Sequence, residues 1–371
     1  MRNATHSPDF LLIIITAILI LFGILMVYDA SVVQAYLEFG DKLYFFKNHI
    51  LGIVIGLVAG LVAYKIDFRL WTKWALPLMV LGLILLIIVY IPGFGIKAYG
   101  SQRWLNLGLF SFQPSEIIKP IFAIYMATFL AHKKEQIKSF TLGFMPYIFI
   151  TLVVSGLIFF QPDLGTAFQI FANGIFLLFL SNASLFQMGV FFPLASILGL
   201  VLIWISPYRR ARLLSFFDPS SDVLGKAYHI NQVLIALGSG GWFGLGFGAS
   251  RQKFQYLPEV MTDSIFAVVG EELGFIGVLF VLAAFFFFIW RGLKITKEAP
   301  DQFSHLLAAG IIGWIGIQAL INLGAMSTVL PLTGVPLPFI SYGRSSTVSL
   351  LIGVGILLNI SRNTLRKEKG K

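Results

Sequence analysis

Long apolar runs separated by short polar segments dominate this chain. A helix rising 1.5 Å per residue needs about 17–25 mostly apolar residues to cross a bilayer. Ten stretches fit that pattern: 10–28, 48–64, 75–91, 115–131, 142–160, 164–180, 185–205, 264–290, 303–324 and 344–360. The expected fold is therefore an all-α integral membrane protein, one polytopic domain over residues 1–371 with ten transmembrane helices. An even number of crossings puts both termini on the same side. Residues 206–263 are long and polar enough to form a large loop between helices seven and eight. Residues 325–343 are apolar but carry Pro331, Pro336 and Pro338, which exclude a regular helix. Irregular apolar backbone at membrane depth survives where it is buried in protein or lines a cavity, so 325–343 reads as an outer re-entrant loop.

Composition sharpens this picture. The chain is 57% hydrophobic and only 12% charged, against about 25% charged residues in soluble domains, which excludes a water-soluble globule. The net charge of +10 would suggest nucleic acid in a soluble protein; here its distribution among loops matters, and no nucleic-acid partner is expected. Lys65, Arg69, Lys73, Lys133, Lys134, Lys138, Arg291, Lys294 and Lys297 fall on one side, with Arg2 and the basic stretch from Arg362 to Lys371. The short loops of the other side carry Lys42, Lys47, Lys97 and Arg103. The positive-inside rule then makes both termini cytoplasmic. The 206–263 loop departs from the rule: it holds Arg209, Arg210, Arg212, Lys226, Arg251 and Lys253 on the outer side, which points to an anionic ligand there. With no cysteine, disulfides and thiol chemistry are excluded. The first apolar run lacks a small-residue cleavage site and reads as a spanning helix.

A few polar residues inside or beside the apolar runs are candidates for chemistry. Asp263 opens the helix at 264–290, and Glu271 and Glu272 lie within it, Glu271 roughly 12 Å deeper. Asp263 fits an N-cap and a site carboxylate equally well. Asp163, starting the helix at 164–180, reads as a cap. Glu116 and Lys119, three residues apart, share a helix face. They read either as a structural ion pair or as the lining of a cavity; the second is favoured because polar groups facing a bundle's interior mark function by default. The glycine-rich run Gly238–Gly248 lacks a P-loop's Lys-Ser/Thr ending and reads as tight turns with close backbone approach. No histidine or carboxylate spacing suggests a dedicated metal site.

These segments together resemble the SEDS family (shape, elongation, division and sporulation). The resemblance is carried by Arg103-Trp104-Leu105, Phe112 to Glu116, Gln161 to Thr166, Ala227 to Gln232, Gln252-Lys253 through Tyr256 to Glu259, Thr262-Asp263, Gly270 to Gly274, and Gly334 to Gly343. Ser250 to Lys253 and Leu337 to Tyr342 look closer to the division branch (FtsW-like) than to the elongation branch (RodA-like). Met261 stands where the family often has His, and Arg344 where a second Gly is usual.

The resemblance implies a peptidoglycan glycosyltransferase that polymerises lipid II on the outer face of the bacterial cytoplasmic membrane, for cell division or cell shape. It implies Asp263 as the essential carboxylate, and Glu116 with Lys119 lining the central cavity. It also implies a class B penicillin-binding protein as transpeptidase partner, among other divisome or elongasome membrane proteins. The chemistry suits such residues. Joining a sugar hydroxyl to an anomeric carbon that carries undecaprenyl pyrophosphate requires one base, because the leaving group needs charge neutralisation more than protonation. The expected substrate-binding set is Glu116, Lys119, Arg103, Trp104, Arg251, Lys253, Arg210, Glu271 and Ser341. A divalent cation, Mg or Mn, would arrive with the pyrophosphate. Two competing readings are a lipid II flippase, which intramembrane charges also suit, and a divisome scaffold in which Asp263 is dispensable.

Overall fold

The computed structural model describes residues 7–98, 101–106, 111–218 and 227–364. Three long apolar helices open the chain: α1 (Phe10–Phe39), α2 (Tyr44–Lys65) and α3 (Leu70–Ile88). A small antiparallel sheet follows, β1 (Gly95–Ala98), β2 (Ser101–Asn106) and β3 (Ser111–Phe112) in that spatial order. It was not legible in the apolar pattern and is the one departure from an all-α fold among the described residues. Next come α4 (Pro114–His132), a π-helical turn (Phe140–Phe144) running into α5 (Met145–Phe160), α6 (Leu164–Leu180) and α7 (Leu185–Ile205). The expected large loop contains two short helices, α8 (Pro207–Phe217) and α9 (Tyr228–Ser239). α10 (Ile265–Lys297), α11 (Gln302–Met326) and α12 (Arg344–Ser361) complete the bundle.

Each stretch expected to span falls on a helix, and eight of these helices are long and apolar enough to cross a membrane. The other two are α6, with 17 residues, and α4, which carries Glu116 and Lys119. α11 is the central helix, with 83% of its apolar stretch buried, whereas only 6% of α7's is. α7 touches the bundle near its start, where Phe191 packs on Phe144 and Phe171.

α2 and α12 lie backbone to backbone. A Cβ on Gly60 would sit 2.6 Å from the Leu351 carbonyl oxygen, and one on Gly355 2.2 Å from that of Gly60. Without a hydrophobic drive between helices in lipid, such small-residue seams let dispersion and packing hold the pair. At one end of the bundle Asp9 caps α1, pairs with Arg291 at 2.6 Å, and accepts nothing from Ser361 but donates its own N–H to that hydroxyl at 3.1 Å. The first and last described helices therefore meet at that end, together with the start of α3, where Asn359 accepts from the Phe68 N–H. Residues 327–343 fold back into the interior of the bundle. Leu337, Phe339 and Ile340 are buried there, and Phe339 packs on Phe288 of α10.

Candidate active site

The turn carrying Asp263 is built from its own backbone. The Glu259 carbonyl accepts from the N–H groups of Thr262 and Ser264, both at 3.1 Å, which closes a tight corner before α10. Glu259 takes a left-handed φ of +51° to make that corner. The turn is then clamped from three sides. Ser341 Oγ donates to the Thr262 carbonyl, Asn322 Nδ2 donates to the Asp263 carbonyl at 2.8 Å, and Tyr342 N–H donates to the Met261 carbonyl at 2.8 Å. Ser264 Oγ donates to the Pro258 carbonyl at 2.8 Å, and His229 Nε2 lies 2.7 Å from that hydroxyl. Since the hydroxyl's one proton goes to Pro258, His229 Nε2 is the donor of that contact.

The Asp263 carboxylate is 8% exposed and caps nothing: Ser264 stands at the helix cap, and Asp263 Oδ1 accepts from Thr262 Oγ1 at 2.9 Å. Asp163, by contrast, accepts from the Thr166 N–H at 3.1 Å and is the cap of α6. Burial pushes the Asp263 carboxyl above its ordinary value, against the Thr262 hydrogen bond and the charges of Arg212 and Arg103. Partial desolvation of its carboxyl raises Glu259, with the Asp263 charge adding to it, although the residue as a whole is exposed; burial lowers His229 to about 4, with Arg212 adding to that.

The expected cations separate into distinct environments. Arg103, on β2 beside half-buried Trp104, donates through Nε to the Gln161 carbonyl at 3.1 Å and through Nη2 to that of Pro162, while its charge reaches Asp263. On α8, the charge of Arg212 reaches Asp263 and His229; Arg209 lies over the Phe159 ring at 3.8 Å, and Arg210 lies 6.0 Å from the Trp204 ring. Arg251 is exposed, with its N–H on Glu271. Lys226 lies outside the described residues. Arg344 is held locally, by Asn48 Oδ1 at 3.4 Å and Ser111 Oγ at 3.5 Å.

Beneath the turn, Lys119 Nζ pairs with Glu116 at 2.6 Å, and both side chains are buried. Lys119 also donates to Gln318 Oε1, which accepts from Gln169 and Trp314 as well. Gln318 Nε2 donates to the Pro336 carbonyl at 3.0 Å. One helical turn along α11, Asn322 joins the neighbouring Val335 carbonyl to that of Asp263, each at 2.8 Å. The Glu116–Lys119 pair and Asp263 thus belong to one polar assembly strung along α11 and the 327–343 loop. Several buried polar atoms of that assembly have no hydrogen-bond partner among the described residues, including Glu116 Oε2, Gln169 Oε1 and Asn322 Oδ1.

Lys253 and Glu271 are placed elsewhere. Lys253 Nζ is buried against Asp29 at 2.7 Å, Glu272 at 3.0 Å and the Gly248 carbonyl at 2.8 Å, so its three protons are engaged and none is directed to a ligand. Glu271 accepts from Ser250 Oγ and the Arg251 N–H, and Glu272 from the N–H groups of Gly248 and Ser250. These two carboxylates knit the glycine-rich run onto α10. The approach there is so close that a Cβ on Gly240 would lie 1.9 Å from the Gly270 carbonyl oxygen, and α10 breaks at Gly274 (φ 64°, ψ −160°) to receive it. Ser341, likewise, spends its hydroxyl on the Asp263 turn.

Among the described residues no group of three or more His, Asp or Glu side chains can hold a metal ion. Sequence reasoning passed over Gln318 and Asn322, gave Thr262 and Glu259 no role beyond carrying the resemblance, and gave Arg212 no precedence over its neighbours. Gln318 and Asn322, four apart in an otherwise apolar helix, were a readable signal of a polar face. The contacts of Glu259 had none.

Three kinds of comparison bear on identity. The profile of the FtsW/RodA/SpoVE cell cycle proteins matches residues 9–366. Stage V sporulation protein E of Bacillus subtilis (strain 168) is 43% identical over 363 residues, covering 98% of this chain and 99% of that one. A probable peptidoglycan glycosyltransferase FtsW of Trichlorobacter lovleyi is 40% identical over 353 residues, covering 95% and 93%. Among solved structures, a chain from a study of how a peptidoglycan synthase complex coordinates polymerization and crosslinking superposes with a TM-score of 0.79 at 25% identity, covering 97% of this chain and 99% of that one. The rod shape determining protein RodA of Thermus thermophilus shares the fold, with a TM-score of 0.72 at 23% identity, covering 97% and 99%. The chain belongs to the FtsW/RodA/SpoVE family of cell cycle proteins, which the resemblance to SEDS polymerases anticipated.

Proposed function

We propose that this protein is a peptidoglycan glycosyltransferase with Asp263 as its general base. The observation carrying the reading is the Asp263 carboxylate itself: nearly buried, capping no helix, held by a turn clamped on three sides, and reached by the charges of Arg103 and Arg212. The names of the FtsW relatives support the reaction class. In this reading ten helices span the bacterial cytoplasmic membrane with both termini inside, and Asp263 opens to the outer face. Asp263 takes the proton of the acceptor sugar's 4-hydroxyl as that oxygen attacks the anomeric carbon of lipid II, inverting it. Undecaprenyl pyrophosphate leaves, its charge met by Arg212, Arg103 and exposed Arg251. A divalent cation accompanying the pyrophosphate would add to that neutralisation. The Glu116–Lys119 pair supports the turn from below through Gln318. A class B penicillin-binding protein is the proposed transpeptidase partner, in keeping with the synthase complex whose chain shares this fold.

The test is glycan polymerisation from labelled lipid II by the purified protein with that partner, comparing wild type with Asp263→Asn. Polymer from wild type and none from the folded variant is the expected result. Equal polymer from both removes Asp263 as base. Translocation of lipid II in vesicles without polymer from either protein replaces the enzyme with a flippase.

A further inference from the structure

A base that takes one proton per bond formed must lose it before the next cycle, and Asp263 is poorly placed to lose it directly. It is 8% exposed, whereas Glu259, four residues earlier, is exposed. Between them stands one hydroxyl: Thr262 Oγ1 lies 2.9 Å from Asp263 Oδ1, 2.9 Å from Glu259 Oε2 and, further off, 3.2 Å from the Glu259 carbonyl oxygen. A hydroxyl has a single proton, so it can donate to one of these carboxylates at a time and must present a lone pair to the other. Two ionised carboxylates in that geometry are mismatched, and one added proton resolves the mismatch. The left-handed φ of Glu259 points the same way. Glycine would relieve that backbone, yet the chain places there a carboxylate whose side chain ends on Thr262.

We propose that Thr262 and Glu259 form a proton exit from Asp263. The proton taken from the acceptor hydroxyl passes from Asp263 Oδ1 to Thr262 Oγ1, the proton of Thr262 passes to Glu259 Oε2, and Glu259 releases it to outer water. One O–H bond breaks and one forms at each transfer, and rotation of the Thr262 hydroxyl back toward Glu259 returns the site to its starting state. Both residues act through Asp263 and touch no reacting atom, so they are positioning residues for the base. The charged and titratable groups that interact with the pair are Arg103 from β2, Arg212 from α8 and His229 from α9. The raised proton affinity of both carboxylates suits a site that holds a proton between them.

The inference rests on Asp263 being the base, and the experiment separates the two. Steady-state polymerisation is measured against pH for wild type, Asp263→Asn, Thr262→Val, Thr262→Ser and Glu259→Gln, each checked for a folded, monodisperse state by size exclusion. Thr262→Val and Glu259→Gln are expected to lower kcat by about tenfold or more, with KM for lipid II changed by less than about twofold and the acid limb displaced. Thr262→Ser keeps the hydroxyl and is expected to retain kcat, and added formate is expected to restore part of the Glu259→Gln loss. Thr262→Val with wild-type kcat and pH profile, beside an inactive Asp263→Asn, overturns the relay and leaves the base standing. Thr262→Ser as impaired as Thr262→Val reduces the effect to packing and also overturns it. An active Asp263→Asn removes the base and the relay together.

Discussion

Asn322 Nδ2 donates at 2.8 Å to the carbonyl of Asp263 and at 2.8 Å to the carbonyl of Val335, so one side chain of α11 ties the Asp263 turn to the 327–343 loop. Replacing Asn322 with Leu keeps the volume and leaves two buried carbonyls without a donor. The loss is about 1–3 kcal/mol for each group left unsatisfied. Thermal unfolding in detergent is expected to show the lower stability, and polymerisation by the folded fraction to fall with kcat more than with KM.

The buried Glu116–Lys119 pair gives a second prediction. Lys119→Met alone leaves Glu116 uncompensated and is expected to cost about 3–5 kcal/mol. Adding Glu116→Gln to it removes the stranded charge and is expected to restore most of the stability. Unfolding midpoints of the two singles and the double variant check this, and no recovery in the double would show that the pair's partners in the Gln318 network matter more than its charges.

Lys253 is expected to behave as a structural residue. With Asp29 and Glu272 both on its ammonium, Lys253→Met strands two carboxylates and lowers the melting temperature, whereas KM for lipid II in the surviving folded protein stays near wild type. Arg212→Gln is expected to do the reverse, raising KM with little change in melting. A KM increase for Lys253→Met without a stability loss would return Lys253 to the substrate.

Two pH effects follow from the raised carboxyl of Asp263. As a base it works ionised, so activity is expected to rise with pH through a limb lying above the ordinary aspartate value of 3.8. Arg212→Gln removes a charge that lowers this value, and the limb is expected to move further up. For stability the sign is opposite to that of a salt-bridged aspartate. Between 3.8 and the raised value the folded protein holds a proton that the unfolded chain has lost, so the Asp263 contribution to stability falls as pH rises through that window. Asp263→Asn is then expected to melt higher than wild type above the window and level with it below 3.8. Equal melting of the two proteins at neutral pH would contradict this.

The packing of the glycine run gives a last prediction. Gly240→Ala drives a methyl to 1.9 Å from the Gly270 carbonyl oxygen and is expected to abolish folded protein, whereas Gly238→Ala, with open space around it, is expected to be tolerated. Size-exclusion profiles of the two purified variants separate the outcomes.

The sequence alone determined what depends on runs and spacing. Apolar stretches longer than a bilayer is thick dictated a helical membrane protein, and three prolines in residues 325–343 excluded a helix there, because both constraints act on neighbours in the chain. Spacing also paired Glu116 with Lys119, three apart on one helix face. Tertiary structure decided what each charge meets. Arg251 and Lys253 are two residues apart, yet one is exposed and the other is locked to Asp29, 224 residues away, because the local chain turns between them. Asp163 and Asp263 start helices in the same way by sequence, and only the structure distinguishes the cap from the carboxylate that caps nothing, since the difference is whether a helix N–H or the Thr262 hydroxyl is the donor within reach. The assembly from Lys119 through Gln318 and Asn322 to Asp263 joins residues far apart in the chain. It exists because a central buried helix brings them together, and a buried donor or acceptor takes whatever partner the fold supplies.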